Sequence, residues 1–421
     1  MNGENWYKAD NAAKIFLATH TDRDTRSLRV SCTLNEAVDA WTLEEALRRT
    51  IAARSTFQVR IRRGFFWHYI EHTNTLPRVS EEHDRPCPVL YGKNYRGVLH
   101  YSVTYYRNRI NLEVFHGLSD GTGAMEFLNV LVLNYLKIKH PDVLGETFIG
   151  KGASAGELEQ DSFSKYYEKK PKGKKVRSSA AAEKAYHIRG LKLPYDQLQF
   201  MRVQMSSEPL HAAAKELGVS LTSYICARLM LAIYRDMPAL KRSLPVTISV
   251  PVNLRNFYSS DTSRNFFNSV SVSHVFSGDE TVETLAAEFD AKLKAALAPE
   301  NIHKQMVGYQ RLEHLLVLRM VPLFLKQPVI RLFAKKEAKK VSAVFSNLGV
   351  MKVPEPLKPF IKDYGLLCSH SELYVSACTY NGTLTLGITS PLRSTGVLRD
   401  FISGFAADGA DVLLDATEVI K

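Results

Sequence analysis

Alternating apolar and polar positions predict an antiparallel hairpin in the first third of the chain. In residues 110–116 the apolar side chains alternate with Asn, Glu and Phe, which is the period of a strand with two different faces. Residues 98–106 are predicted to form the partner strand, with the turn at residues 107–109. The second strand ends at His116, and an apolar helix is predicted over residues 124–138.

The same two periods recur through the rest of the chain. A second hairpin is predicted where residues 373–380 and 383–388 flank Asn381-Gly382, a strong signal for a tight turn. A final helix is predicted over residues 396–414. Further strands are predicted at residues 27–34, 57–69, 198–205, 246–250 and 270–276, and further helices at residues 42–54, 209–217, 221–235 and 282–293.

The order of these elements predicts an α+β fold in two halves, each with a mixed sheet, because regular β-α-β alternation is absent. A length of 421 residues also favours two domains over one. A stretch rich in Lys, Ser, Ala and Gly separates the halves. We therefore predict an N-terminal subdomain over residues 1–160, a basic linker over residues 161–190 and a C-terminal subdomain over residues 191–421.

The formal net charge of +12 is concentrated in the predicted linker. Residues 161–190 hold nine Lys or Arg against three Asp or Glu, which is half of the excess. Such a run is typical of a solvated loop. Neither zinc-finger spacing nor an RNA-binding aromatic motif accompanies it, so nucleic acid is not an expected partner. A basic surface also suits an anionic small molecule that carries phosphates.

Cysteine usage and the apolar stretches bear on location. The five cysteines are scattered and odd in number, which predicts reduced thiols, a cytoplasmic protein and no cysteine metal site. The N-terminus lacks the basic and apolar regions of a secretory signal. Charged residues and prolines interrupt the most apolar stretch, residues 315–333, too often for a membrane span. A buried helix pair and an interfacial membrane contact both stay open there.

His116 is the strongest candidate for a catalytic residue in the sequence. A His at the end of a strand is held rigidly yet can face a cleft, and it exchanges protons near neutral pH. Asp120 follows four residues later, where it can lock the loop by an ion pair or by capping the next helix. The alternative is a His that only satisfies local hydrogen bonds beside a glycine turn.

The same segment also matches the G-x-S-x-G nucleophile motif of serine esterases, with Ser119 as the nucleophile. Two features argue against that interpretation. The strand before it carries Asn111 and Glu113, whereas a nucleophile strand is normally buried on both faces. The parallel β-α-β series of the α/β-hydrolase fold is also missing.

Residues 116–121 resemble the HxxxDG active-site motif of the coenzyme A-dependent acyltransferase superfamily, which includes chloramphenicol acetyltransferase, condensation domains and alcohol acetyltransferases. His116 matches the catalytic His, Asp120 the structural Asp and Gly121 the Gly. Phe115 stands where many members have a first, dispensable His. The similarity extends to the PVNLR segment at residues 251–255, to residues 265–269 and to the SNLG segment at residues 346–349, in the alcohol acetyltransferase branch. Arg264 departs from that branch, which has Gly at this position.

The resemblance implies two chloramphenicol-acetyltransferase-like halves with a channel between them. It further implies that His116 is the general base and that no covalent acyl-enzyme forms. Asp120 would pair with an Arg and hold the loop in shape. Arg60 is the expected partner, with Arg62 on the same segment as the alternative.

Four further residues match the other motifs. Asn253 and Arg255 are expected to shape the channel wall, although either is equally consistent with a plain turn after a strand. Ser346 and Asn347 are candidates for an oxyanion or substrate contact, although a tight turn before Gly349 explains them as well. No metal site and no bound cofactor are expected.

The expected function is transfer of an acyl group from acyl-CoA, with acetyl-CoA as the first donor to consider, to a hydroxyl of an acceptor. Coenzyme A would be a co-substrate, and the apolar stretch at residues 315–333 hints at a lipophilic acceptor or a peripheral membrane contact. A monomer is expected. The alternatives are the serine esterase, a transferase that takes its acyl group from a carrier protein, and a non-catalytic relative.

Overall fold

The N-terminal lobe contains two sheets and the helices that cover them. In the computed structural model we describe residues 6–83, 85–95, 97–144, 154–166, 184–314 and 320–416. The strands of this lobe are β1 Trp6–Lys8, β2 Ser27–Leu34, β3 Val59–Arg63, β4 His68–His72, β5 Val79–Glu81, β6 Tyr101–Tyr106 and β7 Arg109–Phe115. Its helices are α1 Asn11–Thr19, α2 Ala40–Ala53, α3 Gly121–Lys139 and α4 Pro141–Leu144.

The C-terminal lobe is built on one larger sheet. Its helices are α5 Ala155–Glu159, α6 Ser162–Lys165, α7 Ser207–Glu216, α8 Leu221–Asp236, α9 Val282–Ala296, α10 Pro299–His314, α11 Leu323–Ala338 and α12 Gly396–Ala407. The strands after α6 are β8 Gln199–Ser206, β9 Val246–Asn253, β10 Phe267–His274, β11 Ala343–Val350, β12 Ile361–Cys368, β13 Leu373–Tyr380, β14 Thr383–Ser390 and β15 Val412–Ala416. Short 3-10 helices occur at Ser55–Phe57, Lys93–Tyr95, Ala239–Lys241, Leu254–Asn256 and Glu355–Phe360.

The sheets are mixed, as the sequence predicts. The three sheets have the strand orders β1-β4-β3, β12-β2-β7-β6-β5 and β10-β9-β11-β13-β14-β8-β15. Strand β11 runs parallel to both β9 and β13, whereas β13, β14 and β8 are antiparallel. The predicted α+β fold class with two lobes is confirmed.

Both predicted hairpins are present with the expected turns. Tyr106 pairs with Arg109 at the tip of β6 and β7, and Tyr380 pairs with Thr383 at the tip of β13 and β14. Asn381 and Gly382 have φ angles of 45° and 76°, which is the left-handed backbone that this two-residue turn requires. The Asn-Gly pair adopts these angles with little strain.

Strand β12 corrects the predicted division of the chain. It belongs by sequence to the C-terminal subdomain of residues 191–421, yet it pairs antiparallel with β2 at the edge of the N-terminal sheet. Tyr364 and Leu366, both on β12, are buried in the N-terminal core. The N-terminal lobe is therefore completed by residues that follow most of the C-terminal lobe.

The predicted linker is also shorter than residues 161–190. Phe163 on α6 and Tyr186 are buried in the C-terminal core, and the Tyr186 N–H donates to the Pro245 carbonyl at 2.8 Å. Burial of large aromatic side chains ties both ends of this segment to the C-terminal lobe. The central part of the predicted linker, residues 167–183, lies outside the described residues.

Close backbone contact joins the lobes where β12 crosses the large sheet. A Cβ atom on Gly387 would lie 1.7 Å from the Leu366 carbonyl oxygen, so only glycine fits on β14 at this point. The Ser376 hydroxyl donates to the same Leu366 oxygen at 2.5 Å. An ion pair between Arg202 on β8 and Asp363 on β12 adds a second link.

One local prediction near the C-terminal end is wrong, and one of two interpretations left open for residues 315–333 does not hold. The final helix ends at Ala407, because Gly409 takes a φ of +83°, and the chain then forms β15 instead of continuing to residue 414. Residues 323–333 begin helix α11, whose outer side chains are exposed, so this part of the stretch is not a buried helix pair. Residues 315–319 of the same stretch lie outside the described part.

Helices α7 and α8 are the apolar elements nearest to a membrane span in composition. Among the described residues no single helix has the length and hydropathy to cross a membrane. In the described part of the chain, α7 and α8 have the required length and hydropathy only when they are counted together, and the angle between them is 92°.

Candidate active site

His116 lies in the tight loop between β7 and α3. Its N–H donates to the Arg26 carbonyl at 2.7 Å, and the Leu118 N–H donates back to the Phe115 carbonyl at 2.8 Å. These bonds close the turn directly after the strand. The position of the imidazole is therefore set by the sheet, as predicted for a residue at a strand end.

The loop opens on a channel between the two lobes. The channel has a volume of about 2010 Å³ and is lined by Phe16 and His116 from the N-terminal lobe and by Asn253, Ser346 and Tyr374 from the C-terminal lobe. A typical small-molecule pocket holds about 300–1,000 Å³. The channel therefore has room for two substrates at once.

Asn265 determines how the His116 ring is held. The Asn265 amide nitrogen lies 3.0 Å from the His116 carbonyl oxygen and 3.4 Å from an Asp10 carboxylate oxygen, both acceptors. The amide oxygen consequently faces His116 Nδ1, at 3.1 Å. Because an amide oxygen only accepts, Nδ1 carries the proton and Nε2 is left with its lone pair in the neutral ring.

Burial and stacking keep the imidazole neutral. Phe16 stacks on the ring at a centroid distance of 4.1 Å. Burial lowers the pKa of His116, while the charge of Asp120 and the hydrogen bond that the ring donates to Asn265 act in the opposite direction and only reduce the shift. A neutral His with a free Nε2 is the form that can accept a proton.

Asp120 is held by three strong contacts. One carboxylate oxygen accepts from the Gly123 N–H at 2.9 Å and caps α3. The other accepts from Arg255 Nη1 at 2.8 Å and from the Phe266 N–H at 2.9 Å. The side chain is buried and its acceptor positions are occupied, so its geometry is that of a structural residue.

The expected pair between Arg60 and Asp120 is wrong. On the β3–β4 hairpin, Arg60 and Arg62 both bind Glu71, with Nε to carboxylate distances of 2.8 and 3.0 Å. Arg60 lies directly opposite Glu71 in the strand register. The partner of Asp120 is Arg255, from the opposite lobe, which the sequence had placed only in the channel wall.

Arg255 also organises its own loop. Its guanidinium donates to the carbonyl oxygens of Thr262 and Arg264, at 2.8 and 2.7 Å from Nη2. Asn253 caps the short helix that carries Arg255 and donates to the Thr122 hydroxyl at 3.3 Å. The PVNLR segment thus binds the loop that follows His116 in the N-terminal lobe to the C-terminal lobe.

Ser346, Asn347 and Gly121 all line the channel. The Asn347 side-chain oxygen accepts from the Gly349 N–H at 2.8 Å, and its nitrogen donates to the Thr222 hydroxyl at 3.1 Å. This agrees with the tight-turn interpretation and leaves one Asn347 amide hydrogen for another acceptor. A Cβ on Gly121 would lie 3.2 Å from Leu348, so glycine keeps the channel open beside the loop.

The geometry of Ser119 does not suit a nucleophile. Its side chain is buried, and its hydroxyl donates to the Ser263 carbonyl at 2.6 Å. An activated serine instead donates to a base. The neighbouring Gly123 is required for the same close approach, since a Cβ there would lie 2.3 Å from the Ser263 oxygen.

Arg264, which replaces the expected Gly, has a structural place of its own. Its guanidinium donates to the Lys8 and Glu159 carbonyls, and the Asp10 carboxylate lies 3.7 Å from its Nε. Within the described residues, no cluster of three or more His, Cys, Asp or Glu side chains has the arrangement to hold a metal ion.

Comparison with known proteins agrees with this architecture. Residues 194–376 match the family described as "Phthiocerol/phthiodiolone dimycocerosyl transferase C-terminus". Comparison with curated protein sequences gives no match.

Solved structures show the fold over the whole chain. The first condensation domain of the calcium-dependent antibiotic synthetase is 14% identical with a TM-score of 0.63, over 97% of this chain and 98% of that one. The TRI3 trichothecene 15-O-acetyltransferase from Fusarium sporotrichioides is 11% identical, with a TM-score of 0.61 over 96% and 94%. TRI101 of F. sporotrichioides, complexed with coenzyme A and T-2, is 10% identical, with a TM-score of 0.62 over 97% and 99%. The chain therefore has the fold of these acetyltransferases and condensation domains, as the resemblance drawn from its motifs predicts.

Proposed function

We propose that this protein transfers an acyl group from acyl-CoA to a hydroxyl of an acceptor, with His116 as the general base. The observation that carries the proposal is the placement of His116, whose Nδ1 lies 3.1 Å from the Asn265 amide oxygen, on the wall of a channel large enough for two substrates. His116 is therefore a residue that both lines the channel and can accept a proton.

The reaction balances without a covalent enzyme intermediate. His116 Nε2 takes the proton of the acceptor hydroxyl as its oxygen attacks the thioester carbonyl carbon. The tetrahedral intermediate then collapses, the carbon–sulfur bond breaks, and the imidazolium returns the proton to the leaving coenzyme A sulfur. Asp120, Arg255 and Asn265 act as positioning residues, since each touches the loop or the ring.

The comparisons support the choice of substrates. One similar structure holds coenzyme A, and another is named as an O-acetyltransferase. Sequence identities of 10% and 11% establish the fold alone, so both substrates belong to the proposal for this chain.

The test is thiol release from acetyl-CoA and longer acyl-CoAs, with a panel of alcohols and amines, for the wild type and His116→Ala. We expect acceptor-dependent thiol release that falls by about 10²-fold or more in the variant, which is the contribution typical of a general base. Unchanged turnover in the variant would overturn the role of His116.

Two further outcomes identify the alternatives. If neither protein releases thiol from free acyl-CoAs but the wild type transfers an acyl group from an acyl carrier protein, the carrier protein replaces acyl-CoA as the donor in the proposal. Absence of acyl transfer from both donors would favour a non-catalytic relative. Covalent labelling of Ser119 by a fluorophosphonate would favour the esterase.

A further inference from the structure

Helix α11 carries an apolar face that points to solvent. At 100° per residue, positions 324, 325, 328, 329, 332 and 333 fall on one side of the helix. Phe324 and Leu332 are 57% and 68% exposed, whereas Leu323, on the opposite side, is buried. An amphipathic helix normally turns its apolar side inward, so α11 has the reverse orientation.

The exposed face continues onto the turn between β3 and β4. Phe65, Phe66 and Trp67 on this turn are also exposed large side chains. The Leu323 N–H donates to the Phe65 carbonyl at 2.8 Å, and Lys326 Nζ donates to the Phe66 carbonyl at 2.9 Å. Two segments from different lobes thus form one surface, which we call the apolar patch.

The apolar patch is bordered by positive charge. Residues 323–340 contain six Lys or Arg and one acidic residue, Glu337. By helical position, Arg331 and Lys326 flank the exposed apolar face on its two sides, and Lys335 and Lys336 lie at its C-terminal end. Aromatic and aliphatic side chains flanked by basic ones are the composition of helices that lie in the surface of an anionic membrane.

The apolar patch is also the edge of the channel. Leu325, Val329 and Phe333 are exposed to solvent and line the channel that contains His116. Ile330 and Ala334, which are partly buried on the side of the helix that carries Leu323, line the same channel. An apolar route therefore leads from the outer surface of α11 into the interior.

We propose that α11 and the β3–β4 turn dock on an anionic phospholipid bilayer. Phe65, Phe66, Phe324 and Leu332 enter the interface, and the flanking Lys and Arg side chains contact lipid phosphates. Charge complementarity favours this occupant, because the exposed Lys335 and Lys336 would meet lipid phosphates on an anionic bilayer but no counter-charge on a neutral apolar partner. A lipophilic acceptor then passes from the bilayer along α11 to His116, a step that rests on the proposed function.

The test is co-flotation of the full chain with vesicles of phosphatidylcholine, with and without phosphatidylglycerol. We expect binding to the anionic vesicles that weakens with salt. The variant Phe324→Glu/Leu332→Glu should lower the partition coefficient by about 10-fold or more, since two large apolar side chains no longer enter the interface. The variant Lys335→Gln/Lys336→Gln should reduce binding to anionic vesicles by about 10-fold and leave binding to neutral ones unchanged.

Leu240→Glu is the matched control, because Leu240 is 93% exposed on the short helix Ala239–Lys241, away from α11. The proposal is overturned if the wild type does not float with anionic vesicles, or if Leu240→Glu is as defective as the α11 variant. It is also overturned if the wild type is a dimer that Phe324→Glu/Leu332→Glu dissociates, since a second copy would then cover the apolar patch.

Flotation requires no turnover, so its failure is distinct from failure of the proposed reaction. Phe324 and Leu332 are not among the residues that line the channel. Phe324→Glu/Leu332→Glu should accordingly keep its thiol release with a water-soluble acceptor, while losing transfer to an acceptor embedded in vesicles.

Discussion

At the scale of single residues, the two ring nitrogens of His116 have different surroundings. Nδ1 is bonded to Asn265, and Nε2 is left to exchange protons. Burial dominates the other influences and lowers the pKa of the ring. The ring is thus unprotonated at neutral pH, which is the form that the proposed general base requires.

We expect the rate of acyl transfer to be full at neutral pH and to fall only when the pH drops through the lowered pKa of His116. The midpoint of the acidic limb should lie below about 6.5, the ordinary value for His, because burial disfavours the charged ring. The measurement is kcat/KM for thiol release against pH. Thermal unfolding over the same range controls for loss of fold, and a midpoint above the ordinary value would contradict the prediction.

The sequence predicted some residues of this site but not the contacts between them. His116 and Asp120 were found because their motif is local. Asn265 was visible as part of another motif, but its contact with His116 spans 149 positions, and spacing along the chain carries no information on such contacts. Arg255 was assigned to the channel wall for the same reason, while the nearer Arg60 seemed the natural partner of Asp120.

At the scale of elements, the catalytic loop is fixed by groups from both lobes. Asp120 caps α3 within its own lobe and binds Arg255 on the segment after β9. The pair is almost fully buried, with side-chain exposures of 9% for Arg255 and 7% for Asp120. Such a pair holds its geometry because either charge is unfavourable alone.

Arg255→Met should destabilise the fold by about 3–5 kcal/mol, because Asp120 keeps a buried charge without its ionic partner. Arg60→Met is the matched control. Its pair with Glu71 is about 30% exposed on both sides, so the loss should be at most about 1 kcal/mol. The measurement is chemical denaturation. Equal effects of the two substitutions would show that Arg255 does not support the loop.

Gly123→Ala should destabilise the protein by about 1–3 kcal/mol or more, because the new methyl group would lie 2.3 Å from the Ser263 carbonyl oxygen. Gly156→Ala, on helix α5, places its methyl group in open space and should be neutral or stabilise by up to about 1 kcal/mol. Thermal unfolding of both variants tests the difference. A stable Gly123→Ala would contradict the close approach of α3 and the Ser263 loop.

The elements that the sequence misassigned share a physical cause. Leu413 and Leu414 fit the period of the preceding helix, yet they pair with Gln204 and Val203 as strand β15. The apolar residues of α11 left burial and an interfacial contact both open, because periodicity alone cannot distinguish a buried apolar face from an exposed one. Both outcomes depend on what lies beside the segment in space.

At the scale of the whole molecule, the two lobes are interdependent. Strand β12 lies at the edge of the N-terminal sheet and crosses β14 at Gly387. Ile361, Tyr364, Leu366 and Cys368 of this strand follow β11 in the sequence but are buried in the N-terminal core. A division into consecutive domains, which composition suggested, therefore does not describe the structure.

A fragment of residues 1–160 should fail to fold on its own, because without β12 the backbone edge of β2 and its apolar side chains are uncovered. The measurement is NMR chemical-shift dispersion and denaturation of the fragment, with the full chain as the control. Cooperative unfolding of the isolated fragment would show that β12 is dispensable for the N-terminal lobe.

The late position of β12 also has a consequence for synthesis on the ribosome. Strand β7 ends at Phe115 and β12 ends at Cys368, roughly 250 residues later, so translation at roughly 5–20 residues per second leaves β2 without its neighbour for roughly 10–50 s. During that interval the nascent chain displays an open strand edge. Chaperones that hold nascent chains are therefore expected to engage this protein until Cys368 has emerged from the exit tunnel.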